Sequence, residues 1–445
     1  MYNVLTLNKI AACGTDLFDK SKYTFSEDMA DPAAILVRSA SMHEMELGDN
    51  LLAIARAGAG TNNIPIEKCS EKGIVVFNTP GANANAVKEL VLAGLFLSSR
   101  KVAASMDWLK TLKGKGDEVG KLVEKGKAQF AGPEIKGKKL GVIGLGAIGA
   151  LVANAAAALG MEVYGADPFL SVDGALHLST KINYVKSNKE IFEQCDYITL
   201  HAPATPETKG MINAESIATM KKNVRILNFA RADLVDSKAI IDALANGGMA
   251  AYVTDFVTDD LIGVEGVTAF PHLGASTPES EDNCAVMAVN EIIAYLEKGD
   301  IINSVNLPNV SVPMSGDAKI CVIHKNVEGL LTKVTAVAAE NGINIENMVS
   351  KSKKDMAYTV LDVKGNTDSI ADKIKAVDAV INVILSSNLY NYIMNPSVLC
   401  TEGFYYTNQR YLCHCSLTKP FIKIFAALYK SSVIISLPPK AHSNP

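Results

Sequence analysis

The sequence predicts an α/β fold: two units of alternating strands and helices, followed by a smaller module. The first observation is strand–helix alternation through about residue 300, which is typical of doubly wound parallel sheets with a ligand site at the carboxyl ends of the strands. The second is a glycine-rich turn at residues 144–149, between an apolar strand and an alanine-rich helix. The third is a pattern that starts afresh at Lys319 in the order β-α-β-β-α-β, which is ferredoxin-like.

Composition limits the class of protein. The chain has 445 residues, so two or three domains are expected, and its 48% apolar content supports large buried cores. A formal net charge of −4 gives no electrostatic reason to bind nucleic acid or an anionic membrane, and no apolar run reaches the length of a membrane span. The eight cysteines are scattered, and the opening residues MYNVLTLNKI predict a strand rather than a signal peptide. We therefore expect reduced thiols and a cytoplasmic location.

The pattern divides the chain into three domains and a tail. Strand-like runs come first, then a long helical pattern from about residue 86 to 106, then the doubly wound unit. The predicted boundaries are 1–95 for the first domain, completed by about 280–305; 96–279 for the second; 306–317 for a linker; and 318–388 for the third. Residues 389–445 show no helix or strand period, and we expect an irregular tail that is disordered or non-native. Its Cys413-His414-Cys415 lacks the spacer and second pair of a zinc site, so no metal is predicted.

The glycine turn carries the clearest chemical signal. An apolar strand at 140–143 leads into Gly144, Gly146 and Gly149, then a helix to about residue 159 and a second strand that ends at Asp167. In G-x-G-x-x-G spacing the first glycine makes the tight turn, the second admits a pyrophosphate, and the third lets helix and strand pack closely. The helix N-terminus then favours the phosphates. Asp167 is placed to accept from ribose hydroxyls and to repel a 2′-phosphate, so a Rossmann-type site for NAD, rather than NADP, is predicted.

Motifs on either side of this unit carry a family resemblance. They are RSAS (38–41), RAGAGTNNI (56–64), FNTPGANANAVKEL (77–90), NFARADLVD (228–236), VTDFVTDD (253–260) and FPHLGAST (270–277). In unbroken order over residues 3–388, they resemble the D-isomer-specific 2-hydroxyacid dehydrogenases, and in particular the branch that acts on phosphoglycerate. The resemblance implies a flavodoxin-like substrate-binding domain at 1–95, an NAD-binding Rossmann domain at 96–279, and a C-terminal ACT domain at 318–388.

Oxidation of a 2-hydroxy acid requires a cation for its carboxylate, an acid/base for its hydroxyl proton, and a carboxylate that orients that base. His272 is the candidate base, because histidine titrates near neutrality, and Arg231 offers a planar fork for a carboxylate. The alternatives are a helix-capping histidine and a surface ion pair. The family's orienting glutamate corresponds to Asp260, one methylene shorter, with Glu265 as the alternative. The family usually has two glycines after the arginine, where this chain has Ala232 and Asp233; if that backbone needs positive φ, Ala232 does not tolerate it.

The resemblance also implies further ligands for substrate and cofactor. Arg38 corresponds to the arginine directed at the phosphate, with Ser39 beside it, while Lys88 is either a nearby cation or part of a solvated helix face. Arg56 is expected to be structural, and His201 to line the adenosine pocket or merely to pack. The backbone of Gly58, Ala59 and Gly60 is expected to hold the carboxylate. The remaining cofactor residues are Thr79, Ala147, Ile148, Ala202, Pro203, Asp255, Gly274 and Ala275, with Asp255 at the nicotinamide amide.

In the C-terminal module, His324, Asn326 and Asn344 match positions that hold L-serine in regulated relatives. The alternative is that they are polar strand ends facing solvent. The resemblance implies NAD-dependent oxidation of 3-phospho-D-glycerate to 3-phosphohydroxypyruvate, the first step of L-serine biosynthesis, with serine as inhibitor, in a homodimer or homotetramer. The alternatives are reductases of 2-oxoglutarate, hydroxypyruvate or D-lactate, and a nucleotide-sensing corepressor of the same fold.

Overall fold

The computed structural model describes residues 1–387 together with two short antiparallel strands, Tyr405–Thr407 and Arg410–Leu412. These two strands lie within the tail for which the sequence predicted no helix or strand. The rest of the predicted tail, including Cys413-His414-Cys415, where no metal site was predicted, lies outside the described residues. Within the described part of the chain, no helix is long and apolar enough to cross a membrane.

The first sheet has five parallel strands and only two short helices of its own. Its strand order, β2-β1-β3-β4-β5, is the flavodoxin-like order, which places the switch point between β1 and β3. The strands are β1 (Tyr2–Leu7), β2 (Tyr23–Ser26), β3 (Ala34–Val37), β4 (Ala53–Arg56) and β5 (Val75–Asn78), and the helices are α1 (Ala12–Thr15) and α2 (Ile66–Glu71).

Three helices lead into the second domain: α3 (Ala84–Arg100), α4 (Val102–Lys110) and α5 (Val119–Gly126). The predicted single helix over 86–106 is wrong, because Lys101 adopts a left-handed conformation (φ 49°) that ends α3 and starts α4. Helix α3 packs on the second sheet through Val87, Val91 and Leu95. The chain therefore joins the core of the second domain from residue 84 onward.

The second sheet is seven-stranded and parallel. Its order, β12-β11-β10-β9-β6-β7-β8, is the doubly wound Rossmann arrangement, with the site expected where the order reverses, between β6 and β9. Its strands are β6 (Lys139–Ile143), β7 (Glu162–Ala166), β8 (Ile182–Tyr184), β9 (Tyr197–Leu200), β10 (Val224–Asn228), β11 (Met249–Thr254) and β12 (Val267–Ala269). Its helices are α6 (Ala147–Ala158), α7 (Val172–Leu176), α8 (Asn188–Gln194), α9 (Ala214–Ala218) and α10 (Ser237–Ala245).

The chain then returns to the first sheet through α11 (Pro278–Lys298). Pro278 at its first position and Thr277, which accepts a hydrogen bond from the Ser280 N–H, start this helix. Its buried face, which includes Ala288, Ile292 and Tyr295, packs against the first sheet. Helices α3 and α11 are thus the two crossings between the sheets.

The third domain is a four-stranded antiparallel sheet in the order β14-β15-β13-β16, with helices on one face, as the ferredoxin-like prediction requires. Its opposite face shares a core with the first domain, and Tyr358 Oη donates to the Gly299 carbonyl at 2.6 Å. Lys319 is buried and bonds to Asp300 at 3.3 Å. The elements are β13 (Ala318–Lys325), α12 (Leu330–Glu340), β14 (Asn344–Lys353), β15 (Met356–Lys364), α13 (Ile370–Lys375) and β16 (Val380–Ser387).

Candidate active site

The glycine turn fits a dinucleotide because two of its glycines are fixed by packing and one leaves open space. Gly144 has φ 91°, and a Cβ there would lie 2.7 Å from the His201 backbone. A Cβ on Gly149 would overlap the Gly144 carbonyl oxygen, whereas one on Gly146 would meet nothing within 4 Å. Helix α6 begins at Ala147, followed by Ile148, and no side chain caps it. The N–H groups of its first turn are therefore free to bind a phosphate in this space. A pyrophosphate can therefore approach the backbone at Gly146.

Asp167 lies at the end of β7 and is anchored to the same turn. Its Oδ2 accepts from the Leu145 N–H and its Oδ1 from the Phe169 N–H, both at 2.8 Å. Each carboxylate oxygen keeps a further lone pair for a ribose hydroxyl. On the other side of the turn, Ala202 and Pro203 follow β9, and the Ala202 nitrogen would lie 2.9 Å from a Cβ on Gly144. The predicted cofactor residues of both strands therefore meet at the switch point of the sheet.

Two buried polar atoms along this groove have no hydrogen-bond partner among the described residues: Thr79 Oγ1 and His201 Nδ1. Burial lowers the pKa of His201 to about 3, so its ring is neutral, and its Nε2 bonds to Thr199 Oγ1 at 2.9 Å. Thr79 follows β5, and a Cβ on nearby Gly81 would lie 3.1 Å from Ala147 Cβ, which brings the first domain against the start of α6. Buried polar atoms usually have a partner, and a bound cofactor that reaches either atom would supply one.

His272 is held by its backbone and by a ring contact. It has φ 54°, is exposed, and its ring centroid lies 4.8 Å from that of Phe256. The next two residues are fixed by Asp255, whose carboxylate accepts from the Leu273 N–H at 2.6 Å and the Gly274 N–H at 2.7 Å. Asp255 is only 3% exposed, so these bonds are shielded from water. Ala275, which completes this loop, accepts from the Thr277 N–H ahead of α11.

The structure does not bring the expected orienting carboxylate to His272. Asp260 lies in a short 3₁₀ turn, Asp259–Leu261, and accepts a hydrogen bond from Thr258 Oγ1. Within the described residues, neither Asp260 nor Glu265 forms an ion pair or hydrogen bond with His272. Asp260 does not reach His272 because its short side chain already accepts a hydrogen bond from the hydroxyl of Thr258, two residues away.

Arg231 faces the first domain across a cleft of about 910 Å³, whose other wall includes Ala59, Gly60 and Asn62. Its backbone is extended and its Nη1 donates to the Ala230 carbonyl at 2.7 Å. The following 3₁₀ turn contains Ala232 and Asp233, and neither has positive φ. The family's two glycines are therefore not needed for this backbone.

Two further arginines lie near this cleft. Arg38 forms an ion pair with Glu281 of α11, both about half exposed. Arg56 donates from Nε to the Arg38 carbonyl at 2.9 Å, and a Cβ on Gly60 would lie 2.6 Å from Arg56 Nη1. Burial lowers the pKa of Arg56, and Arg231 lowers it further. Among the described residues Arg56 has no carboxylate partner, so its positive charge is available to a substrate anion. The sequence predicted a structural role for Arg56, although its position at the end of β4, before a glycine loop, is compatible with substrate binding.

Other predicted substrate groups already have partners within the protein. The Ser39 N–H donates to Asn8 Oδ1 at 3.0 Å, and the Gly58 N–H donates to the Arg56 carbonyl at 2.8 Å. The Ala59 carbonyl accepts from Asn78 Nδ2 at 2.5 Å, and Ala59 lines the cleft. Lys88 donates to Asn85 Oδ1 at 2.5 Å on its own helix, and its side chain is only 20% exposed.

In the third domain, His324 is buried and both its ring nitrogens are bonded. Its Nδ1 donates to the Lys325 carbonyl and its Nε2 accepts from Thr359 Oγ1, each at 2.8 Å. Burial lowers the pKa of this histidine, consistent with a neutral ring. Asn326 and Asn344 are exposed, with Asn344 Nδ2 donating to Glu346 at 2.7 Å. Of these three predicted serine ligands, Asn326 and Asn344 can therefore exchange their present hydrogen bonds for bonds to a ligand, whereas His324 cannot.

Comparison with known proteins agrees with this geometry. The family described as D-isomer specific 2-hydroxyacid dehydrogenase, NAD binding domain, matches residues 93–274, and an AHAS small subunit-like ACT domain matches residues 320–385. D-3-phosphoglycerate dehydrogenase from Escherichia coli (strain K12) is 31% identical over 354 residues, which cover 77% of this chain and 82% of that protein. The enzyme of the same name from Methanocaldococcus jannaschii is 32% identical over 347 residues, covering 76% and 64%.

A solved structure carries the cofactor. The crystal structure of NAD⁺-bound 3-phosphoglycerate dehydrogenase in Entamoeba histolytica is 27% identical, with a TM-score of 0.54, and covers 68% of this chain and 98% of its own. The predictions of family, fold class and cofactor are thus confirmed. The chain belongs to the D-isomer-specific 2-hydroxyacid dehydrogenases, as an NAD-dependent oxidoreductase with a C-terminal ACT domain.

Proposed function

We propose that the protein oxidises 3-phospho-D-glycerate to 3-phosphohydroxypyruvate with NAD, the first step of L-serine biosynthesis. The observation that carries this proposal is that Arg231 lines the cleft and lies close enough to Arg56 to lower its pKa, while Arg56 donates to the Arg38 carbonyl. A substrate with a carboxylate at one end and a phosphate at the other needs cations on both sides, and guanidinium matches both groups. The names of the relatives described above support the same substrate.

The chain's own residues account for the chemistry as follows. Arg231 binds the substrate carboxylate, with backbone N–H groups of the Ala59–Gly60 turn opposite it, and Arg38 with Arg56 binds the phosphate. His272 accepts the proton of the C2 hydroxyl as the O–H bond breaks and the C2–O bond becomes a carbonyl. NAD, when bound at the Gly144–Gly149 turn, supplies the nicotinamide that takes the C2 hydrogen with its electron pair. Asp255 fixes the loop that carries His272 by accepting from the Leu273 and Gly274 N–H groups.

Asp260 is the proposed orienting carboxylate, and Glu265 is the alternative. Either must approach His272 from its present position when the cleft closes on substrate. Replacing Asp260 and Glu265 separately should therefore show one dominant loss of kcat. Two equal and mild losses would mean that the ring is oriented by its backbone and by Phe256 alone.

A second substrate class follows from the same cations. The distal carboxylate of 2-oxoglutarate can occupy the place of the phosphate at Arg38, so reduction of 2-oxoglutarate is the alternative activity with a structural reason. Hydroxypyruvate and D-lactate lack a second strong anion, and they would leave two of the three arginines unused.

We also propose that the ACT domain binds L-serine at Asn326 and Asn344, with His324 as a buried support through Thr359. Amide side chains offer acceptors to an ammonium and donors to a carboxylate. Strand β14 lies at the edge of its sheet and is mostly exposed, which favours pairing with a second copy in a cytoplasmic homodimer or homotetramer.

The test of the activity is NADH formation from 3-phospho-D-glycerate by the purified protein and by His272→Ala. The variant should lose at least about 10²-fold in kcat, the scale expected when a general base is removed, while NADH binding is retained. Near-normal turnover would refute the role of His272. Serine should inhibit the wild type and Asn366→Ala, an exposed asparagine elsewhere in the ACT domain, but not Asn344→Ala.

A further inference from the structure

Asn228 closes β10 three residues before Arg231 and is fully buried. Its Oδ1 accepts from the Ala230 N–H at 3.2 Å, and its Nδ2 donates to the Arg231 carbonyl at 2.8 Å and, more weakly, to Tyr252 Oη at 3.4 Å. These partners determine the orientation of the amide, because an N–H requires the oxygen and a carbonyl requires the NH₂. One side chain therefore bridges both ends of the turn that projects Arg231 into the cleft.

The neighbouring strand repeats this arrangement for His272. Asn228 pairs with Thr254 of β11, and the Asp255 N–H donates to the Asn228 carbonyl at 3.2 Å. Asp255 in turn holds the two residues after His272 through its carboxylate. The loops that carry the cation and the base are thus connected through one pair of adjacent strand ends.

We propose that Asn228 is a positioning residue that sets the Arg231 guanidinium for the substrate carboxylate; this rests on the role of Arg231 in the proposed function. Only an amide satisfies the site, because it must accept at one end and donate at the other. Aspartate keeps the shape and the acceptor but presents a second oxygen to the Arg231 carbonyl. The turn then loses a bond on the side that carries the guanidinium, and the arginine is displaced by the small distance that costs binding of an anion.

The experiment measures kcat/KM for the hydroxy acid, KM for NAD and the Kd of NADH for Asn228→Asp and Asn228→Ser. A misplacement of about 1 Å can cost about 10²-fold in rate, so kcat/KM should fall by roughly 10- to 100-fold. The Kd of NADH should stay within about twofold, because the Asn228 side chain bonds to none of the predicted cofactor residues and its backbone bond to Asp255 is kept. Asn228→Ser provides the same measurement if Asn228→Asp does not fold, because its hydroxyl can donate or accept a hydrogen bond.

Asn306 provides a matched control for general loss of stability. It is also a buried amide whose two ends bond to backbone, to the Val76 N–H and the Ile74 carbonyl, each at 2.9 Å. Asn306→Asp should lower the melting temperature while leaving kcat/KM close to that of the wild type. An equal loss of kcat/KM in both variants would overturn the proposal, since it would show a structural effect without any role at Arg231.

A double-mutant cycle tests whether Asn228 acts through Arg231. In an Arg231→Ala background, Asn228→Asp should change kcat/KM by less than about twofold, because the group it positions is gone. If Asn228→Asp lowered kcat/KM by the same factor in both backgrounds, the inference would be overturned. It would also be overturned if NADH binding weakened by the same factor as kcat/KM. If Arg231→Ala alone has no effect, the role of Arg231 and this inference both fail. If another 2-hydroxy acid is the substrate, the cycle is measured with that acid, and only the substrate proposal fails.

Discussion

Glu281→Gln is expected to lower the KM for 3-phospho-D-glycerate. Glu281 lies in the first turn of α11, and its carboxylate pairs with the Arg38 guanidinium that we assign to the phosphate. A bound phosphate must compete with this carboxylate for the same donors. Removing its charge frees Arg38 and takes a negative charge away from an anion site, so substrate binding should strengthen while NAD binding stays unchanged.

The exposure of the pair limits the size of the effect. The Arg38 and Glu281 side chains are 46% and 43% exposed, and such surface pairs contribute about 0.2–1 kcal/mol. The expected decrease in KM is therefore about 1.4- to 5-fold. Arg38→Ala removes a charge-assisted hydrogen bond of about 1.5–3 kcal/mol, so its KM should rise roughly 10- to 150-fold.

The assay is steady-state NADH formation at saturating NAD, at low and at high salt, because screening should shrink the difference between Glu281→Gln and the wild type. Glu279→Gln is the matched control, since it neutralises another acid in the same helical turn. An unchanged or higher KM in Glu281→Gln would refute the competition. An equal decrease of KM in Glu279→Gln would show that the effect of Glu281→Gln is a general effect of net charge.

Three other outcomes are expected. Asp167→Ser should raise kcat/KM with NADP relative to NAD, because the repelling carboxylate is removed; the same cofactor ratio in both proteins would contradict its assignment. Arg56→Gln should raise the KM for the hydroxy acid without changing the Kd of NADH, and an unchanged KM would return Arg56 to a structural role. Burial raises the pKa of Glu291 from 4.5 to about 8, so its contribution to stability is present below pH 4.5 and is lost as the pH rises through 8. The melting temperature of Glu291→Gln should therefore fall less than that of the wild type between pH 5 and 9, and parallel slopes would contradict the buried carboxyl.

Local signals in the sequence were enough to predict the folds of the domains. The Gly144–Gly149 turn and its flanking strands depend on residues within one short segment, where packing requires Gly144 and Gly149 and leaves open space at Gly146. The ferredoxin-like order likewise follows from periodicity within about 70 residues. Strand β13 is apolar along most of its length, which indicates a strand covered on both faces. Residues 318–324 are all buried, because helices cover one face and the first domain covers the other.

The site was less predictable where it depends on contacts between distant segments. Arg38 and Glu281 are 243 positions apart, and no local pattern connects them. Asp255 was expected at the nicotinamide, yet its two hydrogen bonds to the His272 loop appear only when β11 and that loop are folded together. Asn228 stands inside a recognised motif, but its role depends on which backbone groups lie around its amide.

The most direct test of the central claim is a comparison of kcat/KM for 3-phospho-D-glycerate with those for D-lactate, D-glycerate and 2-hydroxyglutarate, each with NAD. The proposed roles of Arg231, Arg56 and Arg38 predict the highest value for 3-phospho-D-glycerate, a lower one for 2-hydroxyglutarate, and the lowest for the two acids without a second anion. Turnover of D-lactate or D-glycerate that equals or exceeds that of 3-phospho-D-glycerate would contradict the account.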